Sequence, residues 1–312
     1  MLAIEKYDLQ VAVSPPSRAA MPDAPGRIAV RGTLHFHNRG RQAVHSVSWL
    51  LYRLLTVSEV ADGAGRRAVH FCQRVQSLRD WPSIQVNCVQ VSCSPPVASG
   101  EMLALNLAYS GPVVGYREAF PYVHDAVERD RTLLRREVLW YPVSGFPTWA
   151  TYTGAWQPRA FDVTMTLPSD WWGCLLPGST VRDGPGIWRW QACSPGAVLV
   201  AGRYAPPAAN TGEPCTVRAF TGQGAWASHV QEAAGLAVER LTPLIGPSPR
   251  AGDPWQIIEV PDHWGSEAMA GAVLMEHHAN PARVIRETVH EVAHRWALGA
   301  DPHRFCDESL VS

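Results

Sequence analysis

Lysine is almost missing from this 312-residue chain: Lys6 stands alone, and the other basic residues are arginine. That skew reads as gene base composition rather than a guanidinium-specific function. Net charge is missing too. Lys plus Arg number 27 against 28 for Asp plus Glu, so no global field recruits nucleic acid or an anionic membrane, and a small or peptide substrate fits better. The seven cysteines (Cys72, Cys88, Cys93, Cys174, Cys193, Cys215 and Cys306) contain no CxxC pair, which excludes a disulfide scaffold and a CxxC-type zinc site. No apolar run approaches the roughly 18 residues of a membrane-spanning helix. The most apolar stretch, Val47 to Val57, is cut by Arg53. The start, Met1-Leu-Ala-Ile-Glu-Lys-Tyr-Asp, lacks the basic and apolar regions of a secretory signal. A cytoplasmic protein is therefore expected, the alternative being an extracytoplasmic domain of a longer, membrane-associated parent. Nothing in the sequence sets an oligomeric state.

What is present is enough apolar content, 46%, for buried cores in two domains of ordinary size. Up to about residue 207 the chain reads as short strands separated by turn residues. Period-two alternation is plain in Arg27-Ile-Ala-Val-Arg-Gly-Thr-Leu-His-Phe-His and in Ser83-Ile-Gln-Val-Asn-Cys-Val-Gln-Val, which means one face is buried. Further strands are expected at 102–109, 160–167, 187–192 and 197–204. The spacing predicts an antiparallel sandwich or saddle. Residues 122–136 interrupt it with helical spacing and are expected to form a short helix. The thirteen tryptophans, spread through alternating strands, read as core and sheet-face residues.

A Pro and Gly stretch at 204–212 marks the domain boundary, giving 1–207 and 208–312. Beyond it, 225–241 reads as a helix ending before Pro243, 255–260 as a strand stopped by Pro261, and 270–275 as a second strand. The whole is an α+β chain. Asn280-Pro281 carries helix-start chemistry: a side chain that caps free N–H groups, then a fixed φ suited to the first helical position. The helix is predicted over 281–298, with Gly299 ending it.

On that helix lies His290-Glu291-Val292-Ala293-His294. Residues four apart share a face, so both imidazoles can address one ion while Glu291 stands beside it. Zn²⁺ accepts imidazole nitrogen and carboxylate oxygen, and a catalytic site pairs three protein ligands with a water whose pKa falls towards about 7. Glu291 is placed to take the proton as general base. Ile285, Val289, Val292 and Trp296 supply the helix's apolar face. Asp301, His303 and Glu308 are candidate third ligands. A metzincin-like pattern fails because Ala297 and Ala300 stand where Gly and His are required, and Asp301 before Pro302 looks like an N-cap. Glu308, opening a helix-like Asp307-Glu-Ser-Leu-Val, is preferred. His277 and His278 read as surface or loop residues.

At this point the sequence resembles the M1-type zinc metallopeptidases of the gluzincin class. Their metal helix reads like HE-x-A-H-Q-W, as does His290-Glu-Val-Ala-His-Arg-Trp296 here, and their ligand glutamate sits in a segment like Asp307-Glu-Ser-Leu-Val. Leu107-Ala-Tyr-Ser-Gly-Pro, Trp140-Tyr-Pro and Val200-Ala-Gly-Arg-Tyr resemble landmarks of the family's N-terminal β domain, in order. The resemblance implies an N-terminal β saddle followed by a thermolysin-like domain, zinc held by His290, His294 and Glu308, Glu291 as general base, and aminopeptidase-like hydrolysis of a peptide or protein. Thirteen residues separate His294 from Glu308 (308 minus 294, less one), fewer than in the family. The family's amine-anchoring G-x-M-E-N strand is represented by Gly265-Ser-Glu-Ala-Met-Ala-Gly-Ala, where Glu267 is the available carboxylate. Ser312 follows Glu308 by four residues, so the chain is expected to be a fragment, a truncated product or a degenerate relative. An inactive binding or scaffold module is the alternative function.

Overall fold

A computed structural model describes residues 2–17, 19–21, 24–116, 124–153, 157–207, 215–248 and 255–297. The chain forms two compact units, one of Met1–Pro121, Asp125–Leu175 and Ser179–Ala201, the other of Tyr122–His124, Leu176–Gly178 and Gly202–Ser312. No described helix is long and apolar enough to cross a membrane.

The first unit is built from β1 (Leu2–Ser14), β2 (Arg27–Asn38), β3 (Val44–Tyr52), β4 (Thr56–Asp62), β5 (Ala68–Leu78), β6 (Trp81–Val97), β7 (Met102–Pro112), β8 (Ala126–Val127), β9 (Arg131–Leu134), β10 (Val143–Ser144), the short helix α1 (Trp149–Thr153), β11 (Arg159–Thr166), β12 (Trp172–Leu176), β13 (Thr180–Gly184), β14 (Ile187–Ser194) and β15 (Val198–Gly202). The strands make three sheets, ordered β13-β14-β11-β1-β2-β7-β4, β10-β3-β6-β5 and β12-β15-β9-β8. In the first two of these sheets pairing is antiparallel except for β1 with β11. Alternation does what period two requires: Ile28, Val30, Leu34 and Phe36 of β2 are buried in one core that also takes Trp49, Trp140, Trp190 and Leu199. Three aromatic polar groups brought inside find backbone carbonyls. Tyr7 Oη donates to Pro142 O at 2.8 Å, Tyr109 Oη to Trp140 O at 3.0 Å, and Trp140 Nε1 to Ala197 O at 3.1 Å. The Trp140-Tyr-Pro landmark is thus a packing element. β2 approaches β1 so closely at Gly32 that a Cβ there would lie 2.1 Å from Asp8 O.

Residues 126–134 correct the helix expected over 122–136. They form the hairpin β8–β9, with Ala126 opposite Leu133, and 122–123 lie outside the described residues. The apolar residues that suggested a helix, among them Ala126, Val127, Leu133 and Leu134, are buried from the two strands instead, while Glu128 and Arg131 pair across the turn and Asp125 and Arg135 close the hairpin's mouth. Arg135 Nη1 donates to Asp125 Oδ1 at 2.6 Å, and its backbone N–H donates to Oδ2. Both side chains are buried.

The second unit contains β16 (Cys215–Arg218), α2 (Gly224–Ile245), β17 (Trp255–Val260), β18 (Glu267–Met269), β19 (Ala272–Glu276) and α3 (Pro281–Ala297). The sheet runs β16-β17-β19-β18, parallel except for the antiparallel edge strand β18. Alternate residues Cys215, Val217, Trp255, Ile257, Val273 and Met275 meet Trp226, Val230 and Ala234 of α2 and Val284 and Val292 of α3 in one core. α2 runs past Pro243 rather than ending before it. Proline in the last turn forfeits one backbone bond, on an exposed stretch where water replaces it. The strand expected at 270–275 starts at Ala272, because Ala270-Gly271 makes the β18–β19 turn and Gly271 has φ +81°.

Burial pushes the Asp125 carboxyl up to about 6 despite the Arg135 guanidinium. A folded-state value above the ordinary 3.8 means that the group's contribution is most favourable below that value and is lost as pH rises through about 6. Arg135→Met, which strands the buried carboxylate, should cost about 3–5 kcal/mol in urea unfolding at neutral pH. The cost should shrink at pH 5, where the carboxyl takes up a proton. Equal costs at both pH values would contradict a buried charge at this position.

Candidate metal centre

α3 begins as its sequence requires. Asn280 Oδ1 accepts the Ala282 N–H at 3.0 Å, and Pro281 takes the first helical position. Val284 and Val292 are buried and Val289 and Trp296 partly so, against the sheet and α2. Ile285 shares their stripe but is 45% exposed in the first turn, and Val284 fills the core in its place. The opposite stripe is polar: Arg283, Glu287, His290, Glu291 and His294 follow at helical spacing.

His290 and His294 converge. Their Nε2 atoms lie 3.4 Å apart, with ring centroids 5.0 Å apart and planes at 89°. Two nitrogens each about 2.0–2.1 Å from a tetrahedral Zn²⁺ are roughly 3.3–3.4 Å from each other. The pair therefore has the bite of a zinc chelate. Glu291 and His294 are buried, 8% and 4% exposed, and His290 is half-buried. Donor chemistry and spacing both fit the ion. The expected third ligand Glu308 lies outside the described residues, as do Asp301, His303 and Gly299. Glu267 sits on β18 opposite Leu274, on the face away from Ala268, which packs against the helix-covered core.

His277 and His278, read as surface or loop residues, lie in the loop between β19 and α3, and both are engaged there. His277 Nδ1 is 2.7 Å from Glu259 Oε1, while Glu259 Oε2 accepts the Phe220 N–H at 2.6 Å. His278, its side chain 3% exposed, has Nε2 2.6 Å from Glu287 Oε2, and Arg283 Nε donates to Glu287 Oε1 at 2.7 Å. Asp262, Glu276 and His278 bring possible ligand atoms within 4.8 Å of one another. Their neighbours already occupy them: the Gly265 N–H donates to Glu276 Oε1, and Glu287 holds His278. The cluster reads as an ion-pair network tying the end of β19 to the first turns of α3. No spacing rule could have found it, since strand ends and a helix face are joined only by the fold. A separate hollow of about 1160 Å³ between β16 and α2, lined by Phe220, Ser228, Gln231 and Trp255 among others, includes none of the His290, Glu291 and His294 trio.

No protein-family model matches the chain, and no curated protein matches it by sequence. Solved structures do. The M1 zinc metallopeptidase from Deinococcus radiodurans aligns over 95% of this chain and 64% of its own, with 19% identity and a TM-score of 0.51. A mutant of that enzyme bound to a Tyr-Ser-Ala substrate aligns over the same shares with 18% identity and a TM-score of 0.51. Native yeast LTA4 hydrolase aligns over 95% of this chain and 44% of its own, with 12% identity and a TM-score of 0.61. The chain has the fold of these proteins and spans less than two thirds of their length.

Burial would raise the Glu287 carboxyl, but hydrogen bonds from Arg283 and His278 outweigh it and hold the group below its usual value of 4.5. A depressed carboxyl stabilises above its unfolded value and loses that contribution as pH falls through the folded one. Glu287→Gln should therefore lower stability by about 1–2 kcal/mol at pH 7. The difference from the parent should fade below pH 4.5 in paired urea titrations, and a difference that grows in acid would refute the network.

Proposed function

We propose that this chain carries the zinc-dependent hydrolytic centre of a peptidase, aminopeptidase-like in its substrate class, which cleaves peptide bonds with water. The observation that carries the reading is the 3.4 Å approach of the His290 and His294 Nε2 atoms, on a helix whose other side is fixed in the core of its unit. A bound Zn²⁺ supplies Lewis-acid polarisation of the scissile carbonyl and acidifies water. His290 and His294 offer imidazole nitrogen to the ion, and Glu308 offers a carboxylate as the third ligand. Glu291, beside the histidines but off the ion, accepts the proton of the attacking water and returns it to the departing amine. Burial of Glu291 and His294 restricts water around that carboxylate, so its proton goes to the leaving group rather than to bulk solvent. The fold shared with M1 zinc metallopeptidases, one of them solved with Tyr-Ser-Ala, supports a peptide as the substrate class.

The purified chain should bind about one zinc ion. Glu291→Gln should keep that metal while hydrolysis of Tyr-Ser-Ala falls about 10²–10⁴-fold, and His290→Ala should lose the metal itself. Parental rates in Glu291→Gln would remove the mechanism.

A further inference from the structure

His290 and His294 lie in the last two described turns of α3, and their imidazoles share a face only while the helix keeps its register through these turns. A shift of the turn that carries His294 would take its imidazole away from His290. Three contacts from other elements close on this turn, all at the two residues that follow His294. Ser248 Oγ donates to Arg295 O at 3.1 Å. Trp296 Nε1 donates to Gly246 O at 2.8 Å, which latches the end of α3 to the end of α2. The Arg295 guanidinium, 7% exposed as a residue, lies over the Trp255 ring with Cζ 4.3 Å from the centroid. Trp255 opens β17, second in the four-strand order and parallel-paired to β16 and β19. An indole is the strongest common partner for a cation at this distance, and the contact gains strength when water is excluded.

We infer that Arg295 and Trp255 are positioning residues of the metal centre: their stack holds the last turn of α3 in register, so that His294 stands at chelating distance from His290 before any ion arrives. This rests on the zinc reading above. Arg295 touches neither substrate nor ion in this role. Its guanidinium anchors the helix end to the central sheet, and the hydroxyl of Ser248 secures the same residue through its carbonyl. Preorganisation of this kind is worth about a 10–100-fold change in metal affinity at other metal sites.

The test is Co²⁺ binding to the full chain, read from the visible absorption of the bound ion and from competition with a chromophoric chelator. Trp255→Leu keeps the cation and removes only the ring beneath it. It should weaken Co²⁺ binding about 10–100-fold and change the absorption band, while Trp255→Phe, which restores a π face, should recover most of both. Ser248→Ala, a mild change suited to the case in which Trp255→Leu does not fold, should weaken binding several-fold. Val230→Ala, in the same core but away from the stack, controls for lost stability and should leave the band and the affinity unchanged. If the parent binds Co²⁺ and Trp255→Leu and Ser248→Ala both bind within two-fold of it, the positioning role is overturned and the zinc reading stands. If the parent binds none, the zinc reading itself fails and takes the inference with it.

Discussion

A single turn of helix must present two imidazoles to one point while its far side is buried in a sheet, and the second unit is organised around that demand. α3 meets it by dividing its surface. Val284 and Val292 commit one stripe to the core, which fixes the rotation of the helix about its axis and so fixes where His290 and His294 point. Rotation by one residue, about 100°, would bury the histidines against the sheet and expose the valines. The parallel strands β16, β17 and β19 make such a slip costly, because their Cys215, Val217, Ile257, Val273 and Met275 side chains have no other cover.

The electrostatic arrangement along α3 follows from the same division. Its polar stripe starts with Arg283 and Glu287, which are held by the strand-end residues Glu276 and His278, and continues into the motif residues. Charges at the start of the helix are thereby neutralised among themselves. The imidazoles further along stand beyond that neutralised group. A further carboxylate–histidine pair, Glu259 with His277, ties the central strand to the segment leaving β19. His277 and His278 thus hold elements together, whereas His290 and His294 turn their rings towards each other.

Helix α3 was legible in the sequence because three independent signals coincide there: a cap, an apolar period of 3.6, and two histidines at helical spacing. Strands such as β2 and β6 were legible from alternation alone. Residues 126–134 were misread because the apolar pairs Ala126-Val127 and Leu133-Leu134, seven apart, recur as a helix face does, and Asp125 meets Arg135 only once the hairpin exists. The extent of α2 was misjudged because a proline signals a break wherever it falls, whereas at the last exposed turn it costs one bond. Glu259, His277, His278 and Glu287 left no trace in spacing. Their partners are 18 and 9 residues away, joined by strand ends that converge only in three dimensions. The stack of Arg295 on Trp255 is hidden for the same reason, being 40 residues apart (295 minus 255).

The parallel pairing of β1 with β11 sets an order on assembly. Lys6 faces Ala160 and Ala12 faces Thr166, partners separated by 154 positions (160 minus 6). During synthesis β1 can zip to β2 early, since the two are consecutive in the chain and pair antiparallel, but its other flank stays bare until the ribosome has released β11. For that interval a row of backbone donors and acceptors is open to neighbouring chains, and closing so distant a contact is entropically slow. Expression yield should therefore hinge on how quickly translation delivers residues 159–166 and on holdase chaperones shielding the waiting strand.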